Sequence, residues 1–199
     1  SLIGFVGAPW TLLLYMLNLE SPKRNFNFNK IKNNKDLNDE LIEKLIYVIC
    51  LHIKNQIDAG ANVIQIFDSW AGLLPEEYLE KFCYRPTTRI VNFAKSLNVP
   101  VICFPRGIKK KYAEFSNKVK PDCLSIDYEV DPLWAKKEIK SVAIQGGLDP
   151  KILLEKNEVI KKEVRKYLDI FRDQPYVFNL GHGVLPETNP EKIKFVTNL

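Results

Sequence analysis

The chain alternates between two kinds of apolar pattern. Short apolar runs recur six times without a clean polar/apolar alternation, as expected of strands covered on both faces. Between most of them, apolar residues repeat every three or four positions, which predicts amphipathic helices. The predicted strands are residues 2–6, 62–67, 99–104, 122–126, 142–145 and 176–180. The clearest predicted helices are residues 36–59, 75–97 and 158–171, with a last one beginning near Asn189.

Strands that alternate with helices predict a parallel sheet, because parallel neighbours need crossover connections. A barrel of this kind has eight strands, and six are predicted here. We therefore expect an α/β fold, a (β/α)8 TIM barrel with about six β-α units and the first two missing. Residues 1–199 would then be a single, N-terminally incomplete domain. A complete doubly wound sheet is the alternative, although no glycine-rich dinucleotide loop follows Val6.

Composition narrows the classes of partner. The net charge of +5 permits nucleic acid or an anionic small molecule, but no dense basic stripe interleaved with aromatic residues supports nucleic acid. The longest apolar run, residues 12–17, is far shorter than the roughly 18 residues of a membrane span. The four cysteines have neither paired nor zinc-site spacing. We expect no membrane association, no disulfide framework and no metal.

In a barrel, functional residues lie in the loops that follow the strands. Those loops are the most glycine-rich and chemically diverse stretches of the sequence, and they include residues 7–10, 68–72, 105–107, 127–128, 146–150 and 181–183. Three residues in or just beyond these loops carry candidate chemistry: Tyr15, Ser69 and His182. We expect these three side chains to follow strands and to line one shared pocket.

His182 lies between two glycines, which let a ligand approach the backbone closely. Its imidazole can exchange a proton near neutral pH or hydrogen-bond a carboxylate, and a structural histidine is the alternative. The other histidine, His52, lies within a predicted helix and is interpreted as structural.

Ser69 lacks the flanking glycines of a nucleophile elbow, so we expect it to hydrogen-bond a substrate carboxylate. Asp68, beside it, either orients this loop or is purely structural. Tyr15 lies one turn into the predicted helix that follows residues 7–11. Its phenol is expected to point back to the mouth of the barrel, because helical side chains lean toward the N-terminus. The alternative is a buried aromatic within the apolar stripe of residues 12–17.

Four motifs together resemble the uroporphyrinogen decarboxylase family. They are residues 4–12 (GFVGAPWTL), 67–72 (FDSWAG), 145–150 (QGGLDP) and 178–188 (FNLGHGVLPET). The resemblance implies a (β/α)8 barrel that converts the four acetate side chains of uroporphyrinogen III to methyl groups without metal or organic cofactor. It implies an anionic tetrapyrrole substrate, a homodimer, and a cytoplasmic location with a plastid as the alternative.

By position, the resemblance makes Tyr15, Ser69 and His182 active-site residues and places Phe67 against the substrate. It also implies an aspartate counter-charge and arginines that precede Ser1. We expect residues 1–199 alone to be inactive, because an open barrel leaves two sheet edges unpaired. One departure is Gly147, where the family usually has asparagine; another is the lysine- and asparagine-rich segment 20–29, expected to be a mobile loop. The alternatives are a related corrinoid or thiol methyltransferase and a catalytically incomplete tetrapyrrole-binding module.

Overall fold

The computed structural model describes residues 1–18, 28–33 and 35–199. The contacts within the chain define two compact units, Ser1–Asp122 and Cys123–Leu199. Each unit is built of parallel strands joined through helices. Most of the lysine-rich segment 20–29 lies outside the described residues. That the whole chain forms one domain stays a prediction.

The first unit contains three parallel strands in chain order: β1 (Ile3–Gly7), β2 (Val63–Asp68) and β3 (Val101–Pro105). Gly7 pairs with Phe67, and Phe67 pairs in turn with Phe104. All five residues of β3 are buried, which is why its sequence shows no alternation. The three predicted strands are confirmed to within two residues at each end.

Helices connect these strands and cover them. They are α1 (Pro9–Asn18), α2 (Phe28–Lys32), α3 (Lys35–Asp58), α4 (Glu76–Leu79), α5 (Arg85–Ser96) and α6 (Tyr112–Val119). The longest, α3, buries Ile42, Ile46, Ile49 and Ile53, a stripe with helical spacing that packs toward α1, α5 and β1. The chain leaves α3 through Gly60, whose φ of +105° suits glycine.

The predicted helix 75–97 is interrupted by one π-helical turn, Glu80–Tyr84, between α4 and α5. Pro86 explains the interruption, because proline has no N–H to donate and its ring clashes with the carbonyl four residues earlier. The Arg85 N–H bonds the carbonyl of Glu80 instead, five residues back. The wider turn directs Cys83 and Tyr84 into the core.

The second unit contains β4 (Cys123–Ile126), β5 (Ala143–Gly146) and β6 (Tyr176–Val177), again parallel and in chain order. Its helices are α7 (Pro132–Glu138), α8 (Asn157–Ile170) and α9 (Pro190–Thr197). The predicted start of α9 is confirmed: the Asn189 side chain caps it by accepting the Glu191 N–H at 2.9 Å, and proline follows the cap.

The prediction of a strand over residues 176–180 is wrong beyond Val177. The Asn179 side chain accepts the N–H of Leu180 at 2.8 Å, a local bond that competes with strand pairing. Only one isolated bridge follows, between Leu180 and Leu148. The short strand leaves the segment that leads to His182 as a loop.

Candidate active site

Hydrogen bonds fasten the segment after β2 to the start of α1. The Ala8 N–H donates to the carbonyl of Phe67 at 2.8 Å, and the indole N–H of Trp10 donates to the carbonyl of Trp70 at 2.9 Å. The Trp70 N–H donates to the hydroxyl of Thr11 at 3.2 Å. Residues 67–70, which include Ser69, are therefore held against α1 at several points.

Asp68 is the buried acid of this segment, with only 3% of its surface exposed. Its Oδ1 accepts a hydrogen bond from the Thr11 hydroxyl at 2.7 Å, while Oδ2 has no partner of normal geometry among the residues that the structure describes. The Cys83 thiol lies beside the carboxyl group. Burial raises the pKa of Asp68 to about 6, and hydrogen bonding from Thr11 and Cys83 offsets only part of that rise. The ionised form of Asp68 therefore lowers the stability of the folded protein.

This cost has a pH dependence. A carboxyl whose pKa is higher in the folded state stabilises the protein below the unfolded pKa, and that contribution is lost as the pH rises through the folded value. The rise of the Asp68 pKa from its ordinary value of 3.8 to about 6 corresponds to a loss of about 3 kcal/mol at most. We expect Asp68→Asn to gain stability relative to the unmodified protein as the pH rises from 4 to 7. Urea unfolding of both proteins across this range measures the difference, and a difference that does not change with pH contradicts the prediction.

Tyr15 lies on α1 beside this loop. The alternative of a buried aromatic is wrong, because Tyr15 is 42% exposed whereas Leu13 and Leu14 fill the core. Residues 15–17, in the last turn of α1, are all exposed. The Tyr15 ring meets the Trp70 ring edge-on, with centroids 6.3 Å apart. The first unit thus brings Tyr15 next to the residue that follows Ser69.

Ser69 and Phe67 are both half-buried. Phe67 is the middle ring of an aromatic row across three strands: it lies edge-on to Phe5 at 6.0 Å and to Phe104 at 6.2 Å. Phe5 is largely exposed, so one end of the row is open to solvent in the first unit. The row offers an apolar surface directly beside the polar loop of Ser69.

His182 belongs to the second unit, where it is exposed. The preceding Gly181 donates its N–H to the carbonyl of Leu148 at 2.7 Å. A Cβ atom on Gly181 would lie 2.3 Å from the backbone nitrogen of Tyr128, so no other residue fits there. The sequence predicted that a glycine here lets a ligand approach closely. In the structure, it is the backbone of Tyr128 that approaches Gly181. Gly181 holds His182 near the ends of β4 and β5.

The glycine pair that ends β5 is fixed by two phenols. Gly146 and Gly147 have φ values of +83° and +98°. Their carbonyls accept the hydroxyls of Tyr176 and Tyr167 respectively, each at 2.8 Å. A Cβ atom on Gly147 would lie 3.0 Å from Tyr167, so a side chain at this position requires Tyr167 to shift. Gly147, where the family usually has asparagine, therefore lies directly against a tightly packed tyrosine.

Sequence reasoning missed Thr11 and Cys83, the partners of Asp68. Thr11 lies within the first motif, which was the one available signal. Cys83 gave no signal, because only the π-helical turn directs it toward Asp68. Two of the other cysteines, Cys103 and Cys123, are buried on β3 and β4. Within residues 1–18, 28–33 and 35–199, no three His, Cys, Asp or Glu side chains are grouped to hold a metal ion.

Comparison with known proteins identifies the family. The family model "Uroporphyrinogen decarboxylase (URO-D)" matches residues 1–199. A protein named uroporphyrinogen decarboxylase from Rickettsia bellii is 44% identical over 204 residues, which cover 98% of this chain and 58% of the relative. A protein of the same name from a Jannaschia species is 36% identical over 197 residues, which cover 97% of this chain and 57% of that relative. The chain thus spans a little under three fifths of the length of these relatives.

The fold agrees with this match. A solved structure of a putative vitamin-B12 independent methionine synthase from Listeria monocytogenes has a TM-score of 0.51 and 15% identity, covering 98% of this chain and 63% of that chain. At this identity the likeness concerns the fold alone. None of the described helices is both long and apolar enough to cross a membrane. The predicted fold class, α/β with six β-α units of the TIM-barrel type, is confirmed. The chain belongs to the uroporphyrinogen decarboxylase family.

Proposed function

We propose that the protein decarboxylates the four acetate side chains of uroporphyrinogen III, giving coproporphyrinogen III in haem biosynthesis. The observation that carries the proposal is the match of the family model to every residue of the chain. The name of the Rickettsia bellii relative, uroporphyrinogen decarboxylase, supports it. The structure adds a polar loop next to an apolar aromatic row, a combination that suits a macrocycle bearing carboxylates.

The chemistry needs little beyond proton transfer and charge stabilisation. Protonation of the pyrrole α-carbon next to the ring carbon that bears an acetate creates a ring cation, with positive charge on the acetate-bearing carbon. The bond to the carboxylate then breaks, its electron pair enters the ring system, and carbon dioxide leaves. The exocyclic carbon takes a proton to become a methyl group, and the added ring proton departs. A protein therefore has to supply a proton, anchor the carboxylates and stabilise the cation.

The candidate residues fit the anchoring roles. In this proposal the Tyr15 phenol and the Ser69 hydroxyl donate hydrogen bonds to substrate carboxylates, and the His182 imidazole donates to a carboxylate or carries a proton. Phe67 packs against the macrocycle. The net charge of +5 favours an anionic substrate. We further propose that the protein is a cytoplasmic homodimer. Analytical ultracentrifugation of the natural full-length protein measures its mass and so tests for the dimer.

Two substitutions test the proposal in the natural full-length protein. We expect His182→Ala and Tyr15→Phe each to lower kcat/KM for uroporphyrinogen by about tenfold or more, because each removes one hydrogen-bonding group. The matched controls are His52→Ala and Tyr47→Phe, both on the outer face of α3, which we expect to leave kcat/KM unchanged. Coproporphyrinogen formation is followed anaerobically by chromatography.

Other outcomes distinguish the alternatives. Tight binding of the tetrapyrrole without product from the unmodified protein favours the binding module. Stoichiometric zinc with methyl transfer to a thiol favours the methyltransferase. Loss of the folded circular dichroism spectrum in His182→Ala or Tyr15→Phe shows that the substituted residue is structural.

A further inference from the structure

We propose that Asp68, acting through the Thr11 hydroxyl, is a positioning residue that holds Ser69 and Tyr15 in their substrate-binding arrangement. The assignment of substrate contacts to Ser69 and Tyr15 rests on the proposed function. The mechanical link itself rests on the hydrogen bonds of the first unit.

Thr11 joins the residues on either side of Ser69. A hydroxyl has one proton, and a carboxylate can only accept, so Thr11 donates that proton to Asp68 Oδ1 at 2.7 Å. The lone pairs of the same oxygen then accept the N–H of Trp70 at 3.2 Å. Ser69 lies between two residues anchored to one atom, the Thr11 Oγ1. Movement of Ser69 away from α1 therefore requires one of these bonds to break.

The same link reaches Tyr15 along α1. Thr11 and Tyr15 are four residues apart, which places them on one face of the helix. The Tyr15 ring contacts the Trp70 ring edge-on, and the Trp70 N–H donates to the Thr11 hydroxyl. Because the backbone of α1 joins Thr11 to Tyr15, these three residues form a closed ring of contacts. A closed path of contacts restrains the phenol and the serine loop together.

The cluster is not arranged for stability alone. Among the described residues, neither Asp68 Oδ2 nor the indole nitrogen of Trp70, both buried, has a hydrogen-bond partner of normal geometry. Buried polar groups are normally paired, because an unpaired one loses its bond to water and gains nothing in return. Two such atoms within three residues indicate that local geometry is maintained at the expense of stability.

The link also has a pH dependence that a purely structural role lacks. Asp68 faces Thr11 of α1 and Cys83 of the π-helical turn, and Cys103 of β3 lies next to that thiol. Within the part of the chain that the structure describes, no ammonium or guanidinium group contributes to the shift of the Asp68 pKa, which burial raises to about 6. A protonated carboxyl is a weaker acceptor than a carboxylate, so the bond from Thr11 weakens below that pH.

The test compares Thr11→Val with Thr11→Ser in the natural full-length protein. Valine keeps the shape of threonine but has no hydroxyl, whereas serine keeps the hydroxyl. We expect Thr11→Val to lower kcat/KM for uroporphyrinogen and affinity for oxidised uroporphyrin by about tenfold or more, and Thr11→Ser to stay within about twofold of the unmodified protein. Asparagine has nearly the same shape as aspartate but does not titrate, so Asp68→Asn is expected to remove the low-pH limb of kcat/KM near pH 6.

A second readout needs no substrate. Trp70 is one of three tryptophans in residues 1–199, and 5-fluorotryptophan labelling gives it a fluorine resonance that Trp70→Phe assigns. We expect the Trp70 resonance to shift in Thr11→Val and to return in Thr11→Ser. An unshifted resonance, or wild-type kcat/KM and pH profile in Asp68→Asn, overturns the link. A shifted resonance in a protein that never decarboxylates uroporphyrinogen leaves the link standing and contradicts the proposed function.

Discussion

Gly181→Ala is expected to destabilise the second unit by more than about 3 kcal/mol, a cost at the upper end for overpacking. The added Cβ would lie 2.3 Å from the backbone nitrogen of Tyr128 and 2.8 Å from the carbonyl carbon of Asp127. Backbone atoms cannot turn aside as a flexible side chain can, so relief requires the loop that leads to His182 to separate from the end of β4. The bond from the Gly181 N–H to the Leu148 carbonyl would then be strained as well.

The matched control lies two residues away. Gly183 has no atom within 4 Å of an added Cβ, so Gly183→Ala is expected to change stability by less than about 0.5 kcal/mol. Both substitutions flank His182 and add the same methyl group, which isolates the effect of the close approach. Urea unfolding followed by circular dichroism measures both. Equal stabilities for the two variants would show that the loop that leads to His182 can move away from β4 without loss of free energy, which would contradict the prediction.

Trp10→Ala is expected to lower the free energy of unfolding by about 3–5 kcal/mol, the range for large-to-small changes at buried aromatic residues. The Trp10 side chain is fully buried, and its ring centroid lies 5.5 Å from that of Phe82 and 6.3 Å from that of Phe28. The substitution also removes the bond from the indole N–H to the carbonyl of Trp70. Both the packing of α1 and the anchoring of the loop that bears Ser69 are lost.

Two further variants separate these contributions. Trp10→Phe keeps an aromatic ring and loses the hydrogen bond, so we expect an intermediate loss of about 1–3 kcal/mol. Tyr47→Ala removes an aromatic side chain that is 67% exposed on α3 and is expected to have little effect. Denaturant unfolding with a common slope for all proteins makes the values comparable. A loss in Tyr47→Ala as large as that in Trp10→Ala would contradict the assignment of Trp10 to the core.

The elements of the fold were predictable because their signals are local. A buried strand such as β3 is an unbroken apolar run, and the stripe of α3 repeats within a few residues, so neither requires knowledge of distant residues. The prediction was less accurate where a local bond competes with pairing. Asn179 ends β6 early by capturing the N–H of Leu180. Pro86 inserts a π-helical turn without ending the helix.

The candidate site was predictable only in part. The position of Ser69 and Trp70 directly after a strand follows from strand order, and the resemblance adds Tyr15, Phe67 and His182. The burial of Asp68 is different, since it depends on Thr11, 57 positions away, and on a thiol directed inward by the π-helical turn. No periodicity in the sequence relates these positions.

By itself, the sequence determined the order of strands and helices, the loops that carry chemistry and the family. The tertiary structure alone decided that Tyr15 faces outward beside Trp70, that one hydroxyl joins Asp68 to Trp70, and that Gly181 is required by the backbone of Tyr128. The physical reason is the range of each effect. Hydrophobic periodicity acts over a few residues, whereas a hydrogen bond or a steric contact joins atoms that only packing of the whole unit brings within a few ångströms of each other.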